Sequence, residues 1–113
     1  MIARAPRTSI HCPATFTQEN GQTGMGAVYN ISESGCAIEH AGDIPVAEPM
    51  FLSLQLALEP GEHPIAIEMA QARWATRREF GVKFQLIAPQ NRQRLLRFLR
   101  AAQTTPAPIG SHA

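Results

Sequence analysis

The feature that most constrains this fold is a series of short segments in which apolar and polar residues alternate, each followed by a turn sequence. Such alternation predicts half-buried β-strands, because successive side chains of a strand point to opposite faces. TSIHCPATF at residues 8–16 is typical, since every second side chain from Ile10 to Phe16 is small or apolar. The chain is therefore predicted to form a sheet of many short strands.

The sequence ENGQ at residues 19–22 predicts the first hairpin. Asn-Gly is a strong signal for a two-residue turn, and a turn at Asn20 and Gly21 places four apolar pairs on one face, which favours that register. The predicted pairs are Ile10 with Ile31, Cys12 with Tyr29, Ala14 with Ala27, and Phe16 with Met25. On the outward face, the same register places Ser9 opposite Ser32, His11 opposite Asn30, and Arg7 near Ser34.

Four more segments of strand character follow, at residues 36–40, 51–58, 65–74 and 80–86. Gly35, at the chain reversal before the first of these segments, suits a positive φ. Before Trp74 the alternation of apolar and polar residues breaks, which indicates a β-bulge. The predicted inward side chains are Leu52, Leu54, Leu56, Leu58, Ile65, Ile67, Met69, Phe80, Val82, Phe84 and Leu86.

Only the end of the chain has helical periodicity. In residues 88–102 an apolar stripe containing Leu95 and Leu99 lies mostly opposite three arginines. Together these segments predict a mostly β fold, a small six-stranded antiparallel β-barrel with a C-terminal α-helix. Residues 1–102 are expected to form a single domain, followed by a disordered tail at residues 103–113.

Composition argues against several classes of function. A net charge of only +1 and few aromatic residues beyond those at predicted core positions argue against a nucleic-acid-binding barrel. No apolar run approaches the roughly 18 residues of a membrane span, and no secretory signal is recognisable, so we expect a cytoplasmic protein without membrane insertion. The histidines and cysteines show no metal-ligand spacing or nucleophile–base pattern. We therefore expect neither a metal site, a cofactor nor an enzyme.

The order of the segments and two short motifs resembles the PilZ domain, a bacterial receptor module for cyclic di-GMP. Asn30, Ser32 and Gly35 in NISESG match the family pattern [D/N]-x-[S/A]-x-x-G. The family also carries R-x-x-x-R on the leader before its first strand. Here the leader reads RAPR at residues 4–7, one residue shorter, and Ala3 stands where the first arginine is expected.

The resemblance implies a ligand-binding site for cyclic di-GMP at Arg4, Arg7, Asn30, Ser32 and Gly35. Arg7 suits a phosphate or the face of a guanine ring, and Asn30 suits a guanine edge. Ser32 and Gly35 also have a purely structural interpretation, as residues of a turn. By contrast, the positions of Arg73 and Trp74 favour a solvated cation and a side chain packed on the barrel.

Two functions remain open at this point. One is a cyclic di-GMP-binding signalling adaptor that changes conformation or partner contacts when ligand binds, acting as a monomer or weak dimer on an unidentified protein partner. The other is a PilZ-like protein that does not bind cyclic di-GMP and acts only through protein–protein interaction. The altered arginine spacing favours the second, and the match at residues 30–35 favours the first.

Overall fold

The computed structural model describes residues 7–104, and describes side chains for residues 7–102. It consists of β1 (Thr8–Gln18), β2 (Thr23–Ile31), β3 (Gly35–His40), β4 (Phe51–Leu56), β5 (Ile65–Ala75), β6 (Glu79–Leu86) and α1 (Pro89–Thr104). All neighbouring strands are antiparallel and close into a barrel in the order β1-β2-β3-β6-β5-β4, with β4 pairing back onto β1. The predicted fold class is thus confirmed.

The interior of the barrel is filled by the apolar side chains that the alternation places on one face. On β4 and just beyond it, Leu52, Leu54, Leu56 and Leu58 are all buried, as predicted. Helix α1 contributes Leu95 and Leu99 to the same core. Helix α1 continues to Thr104, past the expected domain end at residue 102, and residues 105–113 of the predicted tail lie outside the described residues.

The register of the first hairpin differs by one residue from the predicted one. The loop has three residues rather than two, because Gln18 donates its backbone N–H to Gln22 O at 2.8 Å and Gly21 has a φ of 90°. A glycine in the left-handed region at the third loop position is the common alternative to a two-residue turn. Consequently Gly24 lies opposite Phe16, and Met25, predicted to be a core residue, is 78% exposed.

A second register shift lies between Ser9 and Cys12, where β1 bulges against β2. Together with the shift at the hairpin, it places Ser9, not His11, opposite Asn30, and Thr8, not Ile10, opposite Ile31. The predicted pairs of Ser9 with Ser32 and of Ile10 with Ile31 are therefore wrong. A bulge adds an unpaired residue to one strand and shifts every later pair. Because of this bulge, Arg7, just before β1, lies next to Asn30.

Bulges also decide which side chains of β5 face inward. The predicted bulge before Trp74 is confirmed by a register shift between Ala72 and Trp74. A further shift between Met69 and Ala70 reverses the parity of β5, so Met69 is 41% exposed instead of buried. Its partner across the ladder, Leu86, is 52% exposed at the end of β6, and its predicted place in the core is also wrong.

His40 lies in an aromatic cluster at the end of β3. Its ring meets those of Phe16 and Phe80 edge to face, at centroid distances of 5.3 Å and 5.4 Å. Nδ1 accepts a hydrogen bond from Gly42 N at 3.1 Å, so the proton of the neutral ring is on Nε2, which is buried without a hydrogen-bond partner among the described residues. Burial lowers the pKa of His40 below 6.5, although the charge of Asp43 acts in the opposite direction.

This environment predicts that mild acid destabilises the protein. Since the folded-state pKa of His40 is lower than the unfolded value of 6.5, the unfolded chain binds more protons between those two pKa values. The free energy of unfolding is therefore expected to fall as the pH drops from about 6.5 towards the folded pKa. Urea denaturation at several pH values measures this slope. It should be shallower in His40→Gln than in the wild type, and equal slopes in the two proteins would contradict the assignment.

Candidate ligand-binding site

The turn between β2 and β3 is held together by Ser32. This side chain is 1% exposed, and its hydroxyl oxygen lies 3.2 Å from both the Oγ and the backbone N of Ser34. The backbone N–H of Ser32 donates to Gly35 O at 2.8 Å. Bonds of this kind from a serine hydroxyl stabilise a turn. The structural interpretation of Ser32 therefore accounts for most of its contacts.

Gly35 starts β3, opposite Lys83 of β6. The predicted positive φ is wrong, since the described glycines with positive φ are Gly21, Gly42 and Gly61. Glycine is required here for a different reason: a Cβ on residue 35 would collide with the backbone carbonyl oxygen of Val82. Close approach of two backbones is the second common use of a glycine in a strand.

Arg7 and Asn30 are in direct contact on the outer surface of the barrel. Arg7 Nη1 donates a hydrogen bond to Asn30 Oδ1 at 2.9 Å, and Asn30 is the partner of Ser9 in the β1–β2 ladder. A guanidinium group carries five donors in a planar fork, so this bond orients Arg7 while most of its donors stay available. Arg7, the residue just before β1, is therefore held beside the turn that follows β2.

These residues line one open groove of about 550 Å³. Its lining contains Arg7, Asn30, Ser32, Ser34, Gly35, Cys36, Ala37, Arg73, Trp74, Gly81, Val82 and Lys83. The structure thus brings together all the predicted site residues that it describes. Arg4 lies outside the described residues.

Eight lining residues were not among the predicted site residues, and three of these eight carry cationic or aromatic side chains: Arg73, Trp74 and Lys83. Trp74 is 42% exposed and lies opposite Gly81 on β6, where a Cβ would collide with the indole ring. The indole thus packs on bare backbone, as expected for an aromatic residue opposite a strand glycine, and still borders the groove. The glycine in REFGVKF was the signal for this pairing, but it becomes interpretable only with the β5–β6 register.

The groove is electropositive. Arg7, Arg73 and Lys83 line it, and no carboxylate is among its described lining residues. Burial raises the pKa of the Cys36 thiol to about 12, and the nearby charge of Arg7 only partly offsets this. A thiol with such a pKa stays neutral at physiological pH and is no nucleophile. The arrangement suits a ligand that combines anionic groups with a planar ring.

The charge of Arg7 also acts on Tyr29, the residue that precedes Asn30 on β2. Burial, a 2.7 Å hydrogen bond to Glu79 Oε1 and the charge of that carboxylate raise the pKa of Tyr29 to about 12, whereas Arg7 lowers it. The phenol therefore remains protonated and donates to Glu79. This contact keeps the carboxylate of Glu79 engaged with Tyr29, and Glu79 is not among the residues that line the groove.

Other kinds of site find little support in the described residues. Within residues 7–104, no group of three or more His, Cys, Asp and Glu side chains is placed to hold a metal ion. The same part of the chain contains no helix with the length and hydropathy of a membrane span. The groove beside the β2–β3 turn is therefore the candidate ligand-binding site.

Comparisons with known proteins agree with this architecture. The profile of the PilZ domain matches residues 2–101, whereas no curated protein sequence matches the chain. The structure of the Bacillus subtilis inhibitor of motility (MotI/DgrA) is similar, with a TM-score of 0.74 and 23% identity over 95% of this chain and 54% of that one. The PilZ domain of CeSA from a cellulose-synthesizing bacterium has a TM-score of 0.70 and 14% identity, over 88% of this chain and 99% of that one.

Both similarities concern the fold, since the sequence identities are low. The chain spans only about half of the B. subtilis inhibitor of motility. It spans almost the whole of the CeSA domain. The match to an isolated domain and the match to part of a longer protein both correspond to a single barrel with its helix.

Proposed function

This chain belongs to the PilZ domain family, and from that premise we propose that it is a cyclic di-GMP-binding signalling adaptor. It performs no chemical reaction, and binding of the ligand changes its conformation or its contacts with a protein partner. The observation that carries the proposal is the 2.9 Å contact between Arg7 and Asn30. That contact places the described arginine of the leader against NISESG, at the wall of a groove free of lining carboxylates.

The chemistry of the groove matches the two parts of the ligand. Cyclic di-GMP carries two phosphates, and Arg7, Arg73 and Lys83 provide cationic donors for them. It also carries two guanines, for which the half-exposed indole of Trp74 offers a stacking surface. Asn30 presents an amide that can pair with a guanine edge.

The remaining residues of the proposed site have supporting roles. Ser32 holds the turn through Ser34, and Gly35 lets the turn approach β6 closely. Arg4 is proposed to serve as the first arginine of the leader motif, one residue closer to Arg7 than the family pattern expects. Binding would draw this leader onto the groove and alter the surface seen by a partner. A ligand shifts the equilibrium between two conformations of a protein only if it binds one of them more tightly than the other.

The setting we propose is the bacterial cytoplasm, with the protein acting as a monomer or weak dimer on a protein partner. Cyclic di-GMP signalling controls motility, exopolysaccharide synthesis and biofilm formation. The similarity to an inhibitor of motility makes motility a suitable first process to examine. The similarity to a PilZ domain from a cellulose-synthesizing bacterium adds polysaccharide synthesis as the second.

Isothermal titration of the purified protein with cyclic di-GMP at modest salt tests the proposal directly. We expect binding with a Kd of about 1 μM or tighter, corresponding to at least about 8 kcal/mol. Cyclic di-AMP, with the same phosphates and different bases, should bind more weakly if Asn30 reads a guanine edge. Absence of heat, together with unchanged amide resonances at high ligand concentration, would reject the function.

A second candidate is a PilZ-domain protein that does not bind the nucleotide and acts only through protein contacts. The shortened spacing RAPR at residues 4–7 favours it, since the arginine pair provides charge for the phosphates. Two results together would establish this alternative. The wild-type protein would show no binding in the titration, and deletion of its gene would change motility or biofilm formation in the source bacterium.

Trp74 provides both a test and a reporter, because it is the only tryptophan in the chain. Stacking of a base on its indole is expected to quench or shift the fluorescence. Trp74→Ala should weaken binding by about fivefold or more, since a stacked base contributes about 1–3 kcal/mol. Trp74→Phe, which keeps an aromatic face, should lose less. Unchanged fluorescence at saturating cyclic di-GMP would show that the base does not contact Trp74.

A further inference from the structure

A second groove borders the candidate ligand-binding site. It has a volume of about 450 Å³ and is formed mainly by Glu33, Lys83, Phe84, Leu86, Ile87 and Arg92. Ser34 and Lys83 line both cavities, so the two are contiguous along β6. We refer to this second cavity as the β6 groove.

The β6 groove is lined by large apolar side chains as well as by charged and polar ones. Phe84 and Ile87 are partly buried against the core and belong to its lining. Leu86 is 52% exposed at its edge, and its ladder partner Met69 is 41% exposed beside it. Single exposed apolar residues are common on protein surfaces, but adjacent large ones next to a groove mark sites of contact.

The charged side chains around the β6 groove indicate which charge its ligand would carry. Lys83 and Arg92 carry exposed cations, and neither forms an ion pair with a described carboxylate, since the ion pair found among those residues joins Arg94 and Glu59. Glu33 provides one negative charge at the rim, which leaves an excess of positive charge. A complementary occupant therefore carries at least one carboxylate beside a bulky apolar side chain.

A protein segment fits this groove better than a second nucleotide. The exposed indole of Trp74 offers a stacking face in the first groove. In the β6 groove Phe84 is partly buried against the core, and the exposed apolar side chains are Leu86 in its lining and Met69 beside it. Leucine and methionine pack against aliphatic or aromatic side chains and offer no flat face to a base. The groove is also open to the surface, as suits a side chain presented by another protein.

We propose that the β6 groove binds an acidic, apolar segment of a partner protein. The regulatory part of the proposal rests on the proposed function: because Lys83 lines both cavities, a nucleotide that engages Lys83 changes the affinity of the β6 groove for the partner. The coupling is reciprocal, so the partner segment changes nucleotide affinity by the same factor.

The test uses the full chain, immobilised and panned against a random peptide library displayed on phage. The enriched peptides are expected to share a carboxylate near a bulky apolar residue. A synthetic peptide of the enriched sequence should bind wild type and lose about tenfold or more in affinity for Leu86→Ser and for Arg92→Glu, as expected at the centre of an interface. Arg97→Glu is the matched control, the same charge reversal on α1 at an exposed residue outside the groove.

The outcomes separate this proposal from the proposed function. Lack of enrichment, enriched peptides without acidic residues, or binding that Leu86→Ser leaves unchanged would each overturn the β6 groove as a docking site. Cyclic di-GMP titrations of Leu86→Ser and Arg92→Glu should match wild type, because those residues do not line the nucleotide groove. If wild type binds the peptide but not the nucleotide, the proposed function fails and the docking site stands without its regulation.

Discussion

Replacing Arg7 with alanine is expected to abolish cyclic di-GMP binding while leaving the barrel folded. Arg7 is exposed at the start of β1, and its described hydrogen bond goes to Asn30, so its loss removes little from the core. Hydrogen bonds to charged groups contribute about 1.5–3 kcal/mol each, and a guanidinium group can form two with one phosphate. The affinity should therefore fall by about a hundredfold or more, below what calorimetry detects for a micromolar ligand.

Arg97→Ala is the control for this experiment, since it removes an exposed arginine of α1 that lies outside the groove. Its titration should match wild type, and thermal unfolding should show similar midpoints for all three proteins. Arg7→Lys should retain only part of the affinity, because an ammonium group lacks the planar fork. Clear binding by Arg7→Ala would remove this residue from the proposed site.

Gly35→Ala is expected to destabilise the fold as well as the groove. The new methyl group would collide with the carbonyl oxygen of Val82, and that atom belongs to the backbone, so β3 and β6 must separate to accommodate it. Overpacking of this kind costs about 3 kcal/mol at its upper end. The midpoint of urea denaturation should drop accordingly, and cyclic di-GMP affinity should fall in the fraction that remains folded.

Gly61→Ala separates this steric effect from the general cost of replacing a glycine. Gly61 has a φ of 80° and open space around the position of a Cβ, so alanine there costs only the strain of the left-handed region, about 1–2 kcal/mol. We expect a smaller loss of stability than in Gly35→Ala and no change in ligand affinity. Equal losses in the two variants would show that the β3–β6 contact relaxes easily.

The sequence was a good guide wherever a residue acts through its own strand. Alternation correctly assigned Leu52, Leu54 and Leu56 to the core, because the side-chain direction in a strand depends only on local geometry. The pattern NISESG likewise located the turn beside which Arg7 lies. The bulge before Trp74 was visible as a break in that alternation.

Predictions failed wherever they depended on the pairing between strands. Met25 was expected inside and lies outside because the loop before it has three residues instead of two. Position 35 was expected to require glycine because of a positive φ, whereas it requires glycine because a Cβ would collide with the backbone of Val82. The first error arises because a register shift of one residue moves every later side chain to the other face. The second arises because the close approach of β6 to residue 35 is a contact between distant segments, which a local turn pattern does not specify.

The sequence by itself determined the number of strands, the closing helix, most of the core and the family motif, since all of these follow from periodicity and short patterns. The tertiary structure decided the composition of the groove. Arg73, Trp74 and Lys83 join Arg7 and Asn30 only because β6 pairs with both β3 and β5 in a closed barrel. Contacts between distant segments depend on bulges and loop lengths whose energies differ little between alternatives, and only the closed sheet selects among them.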